Sequence, residues 1–168
     1  MKFSVNQQDL QKSLSYCQGV IEKRSTLPIL SNVLLDVNAG KLTITATDLD
    51  LIFIHNISNI EVIEEGKTTT SSSIMYDIVR KFSSGKKINF SKTDGNKLQL
   101  ESEKSVFNLN CINPSEFPLT DENFNQRVFS IKSKEFLKLL NKCKFSLSND
   151  ETRHYLNGIF FHQTQIED

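Results

Sequence analysis

Between Lys132 and Lys144 stand five lysines and one acid, Glu135. Lys134, Lys138 and Lys142 are spaced i, i+4 and i+8, so on a helix they form one stripe, off the face of Phe136, Leu140 and Cys143. Such a row can neutralise successive phosphates of a nucleic acid without reading its bases, or it can be a solvated helix face. Arg80-Lys81 and Lys23-Arg24 follow two other helical patterns. Basic residues thus recur at equivalent places, which favours the phosphate reading. Arg153-His154-Tyr155 sets a cation beside two rings that could touch a backbone or stack on bases. The plainer reading makes Tyr155 a buried strand residue and Arg153 a surface charge. Asp48-Leu49-Asp50 offers a different chemistry: in an extended segment both carboxylates share a face and could hold Mg²⁺ for phosphoryl transfer. Against this, Asp48 can accept backbone hydrogen bonds in a turn. No third acid, general base or glycine-rich phosphate loop accompanies the pair, and His55, His154 and His162 lack ligand spacing. No catalytic residue, metal site or cofactor is assigned.

Twenty basic and twenty acidic residues cancel over 168 positions, so no global field recruits nucleic acid and binding must come from local asymmetry. With 38% hydrophobic content the chain can bury one sizeable core and begin another. Cys17 and Cys143 fall on apolar helix faces and are expected to be buried free thiols. Met1-Lys2-Phe3-Ser4-Val5-Asn6 has no apolar signal core, and no apolar run approaches membrane-spanning length. The expectation is a cytoplasmic protein with no membrane partner.

The elements that must position these residues are repeated. Residues 3–35 return without a gap at 129–161, a shift of 126 (129 − 3), with Phe3/Phe129, Lys12/Lys138, Leu14/Leu140, Cys17/Cys143 and Leu30/Leu156 identical. Phe3 and Val5 alternate as a strand; Asn6 can cap a helix whose inner face is Leu10, Leu14, Cys17 and Ile21. Strands follow at Val33–Val37, Lys41–Ala46 and Leu51–His55, the first two joined at Asn38-Ala39-Gly40. The pattern restarts with Thr68-Thr69-Thr70. Serines 71–73 can cap a helix with Ile74, Ile78, Val79 and Phe82 inward, and hairpins run from Lys87 to Cys111, turning at Asp94-Gly95-Asn96 and near Ser102-Glu103. This β-α-β-β-β half-unit, used twice, predicts an antiparallel α+β domain with two helices on one side. Pro114–Asn125 reads as a linker, giving domains at 1–123 and 124–168. After it, Val128–Ile131 reads as a strand, Ser133 as a helix cap, and Tyr155–His162 as a strand.

Thr26-Leu27-Pro28-Ile29-Leu30-Ser31-Asn32-Val33-Leu34-Leu35, Thr45-Ala46-Thr47-Asp48-Leu49-Asp50, Phe117-Pro118 and Arg153-His154-Tyr155-Leu156-Asn157-Gly158 together resemble the bacterial β sliding clamp, the processivity subunit of DNA polymerase III. The resemblance runs along the whole chain. It implies the DNA-clamp fold, with three-domain protomers paired head to tail in a homodimeric ring around double-stranded DNA. Helices form the ring's inner wall and sheets its outside. The role implied is non-catalytic, serving the replicative polymerase and the clamp loader. By the same resemblance Arg24, Arg153 and Tyr155 match DNA-contacting positions, with His154 in place of an expected tyrosine. Ser73 stands where a basic residue is common, and Asp150 where a neutral one is. Phe107 and Leu109, rimmed by Lys104, match the subunit interface. Leu156 and Gly158 match part of the wall of the partner-peptide pocket. The chain is read as an N-terminal portion, unable to close a ring alone. The alternatives are a metal-dependent phosphoryl-transfer enzyme using Asp48 and Asp50, or a non-DNA interaction module from a decayed gene.

Overall fold

The computed structural model describes residues 1–21, 26–93, 96–119, 129–148, 150 and 152–162. The chain divides into two compact units, Met1–Asp121 and Glu122–Asp168. In the first, the order is β1 (Lys2–Asn6), α1 (Gln7–Cys17), β2 (Asn32–Asn38), β3 (Lys41–Thr47), β4 (Ile52–Ile57), β5 (Ile60–Glu64), β6 (Gly66–Ser71), α2 (Ser72–Val79), β7 (Lys87–Thr93), β8 (Lys97–Ser102) and β9 (Ser105–Ile112). Two β-α-β-β-β halves are therefore present, with β5 added between them. The sequence reading missed β5 because Glu61 and Glu64 break its apolar pattern. An edge strand tolerates such charges, and here they discourage further pairing.

Every strand pairing is antiparallel, in the order β4-β3-β2-β6-β9-β8-β7-β1-β5. The halves interlock: β1 opens the first half but pairs with β7 of the second, and β6 opens the second but pairs with β2 of the first. Neither half is complete without the other. The β2–β3 turn has the left-handed backbone that a two-residue hairpin needs, φ +49° at Ala39 and +73° at Gly40.

Both helices start as the sequence suggests. The Asn6 side chain accepts the Gln8 amide at 2.9 Å, and Ser71 Oγ accepts that of Ile74 at 3.5 Å. They lie side by side and antiparallel. Gln7 Nε2 donates to the Val79 carbonyl at 2.9 Å, while at the other end Gln18 Nε2 donates to Ser72 Oγ at 2.9 Å. Leu10, Leu14, Cys17 and Ile21 enter the core as expected. Each fully buried leucine contributes roughly 1.5–3 kcal/mol relative to exposure. On α2 one assignment changes: capping at Ser71 sets a register that buries Ser72, Met75 and Val79, leaving Ile74 55% exposed.

The second unit contains α3 (Ser133–Cys143), which starts and ends 126 positions after α1. A 3₁₀ turn at His154–Leu156 likewise begins 126 positions after the one at Pro28–Ser31. Three expectations fail here. Phe129–Ile131 and Tyr155–His162 are not strands, because an extended segment becomes one only where a second backbone pairs with it, and no described residue does. Ser133 is the first helical residue rather than the cap, a place taken by Lys132 with no side-chain bond. Cys143 is exposed rather than buried. Val128 lies outside the described residues.

Candidate nucleic-acid interface

The α3 helix displays its cations. Lys134, Lys138 and Lys142 are exposed, and among the described residues none of them is in an ion pair. Glu135 in the first turn and Lys142 in the last each suit the helix dipole, whereas Lys134 in the first turn works against it. Away from the stripe, Phe161 stacks on Phe129 at 5.7 Å and meets Phe136 edge-on at 5.9 Å. That ring cluster gives α3 one apolar anchor and leaves its lysines in solvent.

The turn at 150–156 is built by Asp150. Its Oδ1 accepts the Thr152 hydroxyl at 2.6 Å and the Thr152 amide at 2.9 Å. These bonds, the hydroxyl's first, hold the carboxyl below the usual aspartate range. Its Oδ2 lies 3.5 Å from Arg153 Nε, so part of the arginine's charge is already answered within the turn. Tyr155 is 81% exposed in the 3₁₀ turn, which overturns its reading as a buried strand residue. The side chain of His154 lies outside what is described.

In the first unit, Arg80 is also partly satisfied: Nη2 sits 3.0 Å from Asp77 Oδ1, and the guanidinium lies 5.9 Å from the Tyr76 ring centre. Arg24 and Lys23 lie outside the described residues. The structure adds Lys12, exposed on α1 at the repeat position of Lys138. The repeat alignment alone could have found it.

Asp48 takes the turn role. Its Oδ1 accepts the amides of Leu51 at 2.7 Å and Asp50 at 3.1 Å, so this oxygen organises the turn. No group of three or more metal-ligating side chains is found among the described residues.

On β9, Lys104 precedes the strand and is exposed, and Phe107 is 39% exposed and packs on Phe82 at 5.8 Å. Leu109 is 6% exposed and belongs to the core of this unit. β9 pairs with β6 only at Cys111 and Ile112, and the Asn110 carbonyl accepts from Thr70 Oγ1 at 3.0 Å, so among the described residues Ser105–Leu109 have no strand partner on that side. Leu156 and Gly158 are exposed, the former at 42%.

Residues 1–121 match the family profile of the DNA polymerase III beta subunit, N-terminal domain. The chain belongs to that family. The beta sliding clamp of Caulobacter vibrioides (strain NA1000 / CB15N) is 34% identical over 164 residues, covering 96% of this chain and 44% of the relative. That of Escherichia coli K12 is 32% identical over 161 residues, with 96% and 44% covered. Among solved structures, Caulobacter crescentus pol III beta superposes with a TM-score of 0.91 at 32% identity, covering 99% of this chain and 45% of that one. A sliding clamp from Bartonella birtlesii bound to griselimycin gives 0.86 at 38% identity, covering 96% and 43%. The chain therefore spans a little under half the length of these beta sliding clamps. The DNA-clamp fold implied by the resemblance is the fold observed, and the antiparallel α+β domain read from the half-unit repeat agrees with it. No helix among the described residues is long and apolar enough to cross a membrane.

Proposed function

We propose that this chain supplies the first domain, and the opening of the second, of a DNA sliding clamp, and that its ligand is the phosphate backbone of duplex DNA. The observation that carries this is the exposed row Lys134, Lys138 and Lys142, in no ion pair among the described residues, on a helix repeating α1 at a shift of 126. Lysines held this way neutralise phosphates as point charges and read no base, which suits a protein that must slide. Within the second unit the proposal extends to Arg153, Tyr155 and His154; in the first unit it takes in Arg80 and, by resemblance alone, Arg24. Arg80 and Arg153 contribute less than their charge suggests, since Asp77 and Asp150 compete for them.

In the whole protein the clamp acts as a head-to-tail homodimeric ring that tethers the replicative polymerase in the cytoplasm and is opened by a clamp loader. The uncovered edge of β9 supports Phe107, Leu109 and Lys104 as the place where another subunit's strand adds on, with Phe107 the more accessible of the two apolar residues. Leu156 and Gly158 belong to the wall of the pocket for partner peptides. The proposed role is non-catalytic, and it is supported by Asp48 Oδ1 serving the turn.

The test is binding of the 168-residue chain to duplex oligonucleotides of unrelated sequence, linear and circular. Similar affinities for all of them, falling steeply with salt, support the reading. Binding that depends on sequence, or none at low salt, contradicts it.

A further inference from the structure

Asn157-Gly158 is the chain's one Asn-Gly pair; each of its other asparagines is followed by a residue with a side chain. The pair has a chemistry of its own. The backbone nitrogen that follows an asparagine can attack that asparagine's Cγ and close a succinimide ring. A Cβ on the following residue hinders the approach, and glycine has none. Regular secondary structure prevents the attack as well, because it fixes the backbone and commits the nitrogen to a hydrogen bond.

Here neither obstacle stands. Both residues are exposed and follow the 3₁₀ turn at His154–Leu156, outside any helix or strand. A Cβ added at Gly158 would meet nothing within 4 Å, and the Gly158 amide has no acceptor among the described residues. Among those residues the Asn157 side chain is held by a single long bond, Nδ2 donating to the Asp150 carbonyl at 3.3 Å. By contrast, Asn38 ends β2, and the amide after it, that of Ala39, already donates to Glu65 Oε1 at 2.8 Å.

We propose that Asn157 is a deamidation site, with water as co-reactant, and that its conversion loosens the turn carrying Arg153 and Tyr155. The Gly158 nitrogen loses its proton to hydroxide and bonds to Cγ. The Cγ–Nδ2 bond breaks, and Nδ2 takes up a proton and leaves as ammonia. Water then adds to one of the two ring carbonyls and cleaves its bond to nitrogen, giving aspartate or, where the chain now runs through the side chain, isoaspartate. Nothing is oxidised or reduced. Either product loses the bond to the Asp150 carbonyl and adds a negative charge to a turn in which Asp150 already answers Arg153. The effect on DNA rests on the reading proposed above; the site and the loosened turn do not.

The test incubates the chain at neutral and at alkaline pH and maps it by peptide mass over time. The peptide holding Asn157 should exchange NH for O ahead of every other asparagine, faster at the alkaline pH, and split into aspartate and isoaspartate forms. Gly158→Ala fills open space and should slow the conversion about tenfold with the circular dichroism unchanged. The converted chain and Asn157→Asp should each bind a duplex oligonucleotide about threefold more weakly than the fresh chain, while incubated Gly158→Ala should match its own fresh sample. Three results would each overturn the proposal: conversion no faster than at other asparagines, conversion indifferent to Gly158→Ala, or full conversion with DNA affinity unchanged. If the fresh chain binds no duplex, the DNA reading fails by itself. The loosened turn is then read from the Thr152 and Leu156 amide shifts, and shifts that stay put on conversion overturn it.

Discussion

α1 and α3 are one helix used twice, 126 residues apart, and they differ chiefly in what covers them. Leu10, Leu14 and Cys17 are all 0% exposed, whereas their repeat partners Phe136, Leu140 and Cys143 are 36% exposed, half-buried and exposed. Leu14 and Leu140 are the same residue at the same helical position, so propensity cannot explain the difference. What α1 has is a sheet beneath it and α2 beside it; what α3 has, among the described residues, is a small cluster of phenylalanine rings. The outer stripes diverge in the opposite sense. Gln8, Lys12 and Tyr16 on α1 become Lys134, Lys138 and Lys142 on α3, so one cation becomes three while all six positions stay exposed. The repeat thus preserves the fold of the helix and lets its outer chemistry vary.

Truncating the shared leucine should separate the helices most sharply. Leu14→Ala leaves a cavity in a sealed core and is expected to cost about 2–5 kcal/mol, whereas Leu140→Ala should cost less than about 1. Urea unfolding followed by circular dichroism measures both. Equal losses would mean that α3 is buried as deeply as α1.

The paired cysteines give the next contrast. Burial pushes the Cys17 thiol up to about 12, so it is neutral and shielded at any ordinary pH. Iodoacetamide at pH 8 should label Cys143 quickly and reach Cys17 only through unfolding of the first unit, as peptide mapping over time would show. Early labelling of Cys17 would break the comparison.

A smaller effect is expected at the second unit's turn. The folded pKa of Asp150 lies below that of an unfolded aspartate. The turn is therefore stabilised above the unfolded value and loses that stabilisation as pH falls through the folded one. On acidification below the usual carboxylate range, the Thr152 amide should shift toward its random-coil position while amides of β7 and β8 stay put. A Thr152 amide indifferent to that titration would remove Asp150 as the organiser of the turn.

The half-unit plan, the two caps and the inner face of α1 were legible because each rests on local rules: side-chain period, capping oxygens and turn glycines. The misreadings fell where a distant partner decides. Ile74 faces outward because the cap fixes the helix register, β5 exists because β1 offers it an edge, and Phe129–Ile131 lacks the second backbone a strand requires. In the candidate site, the lysine stripe could be read from spacing alone. The weakening of Arg80 and Arg153 by Asp77 and Asp150 could not, since the same spacing fits several rotamers.

The central claim is that α3's stripe, and not α1's, carries most of the DNA contact. Its most direct test compares the slope of log K against log salt for the chain and for Lys134→Gln/Lys138→Gln/Lys142→Gln on a duplex oligonucleotide. Three lost phosphate contacts should reduce the slope by about 2.7, and Lys12→Gln by no more than about 0.9. An unchanged slope in the triple variant, with the first unit still folded, would contradict the account.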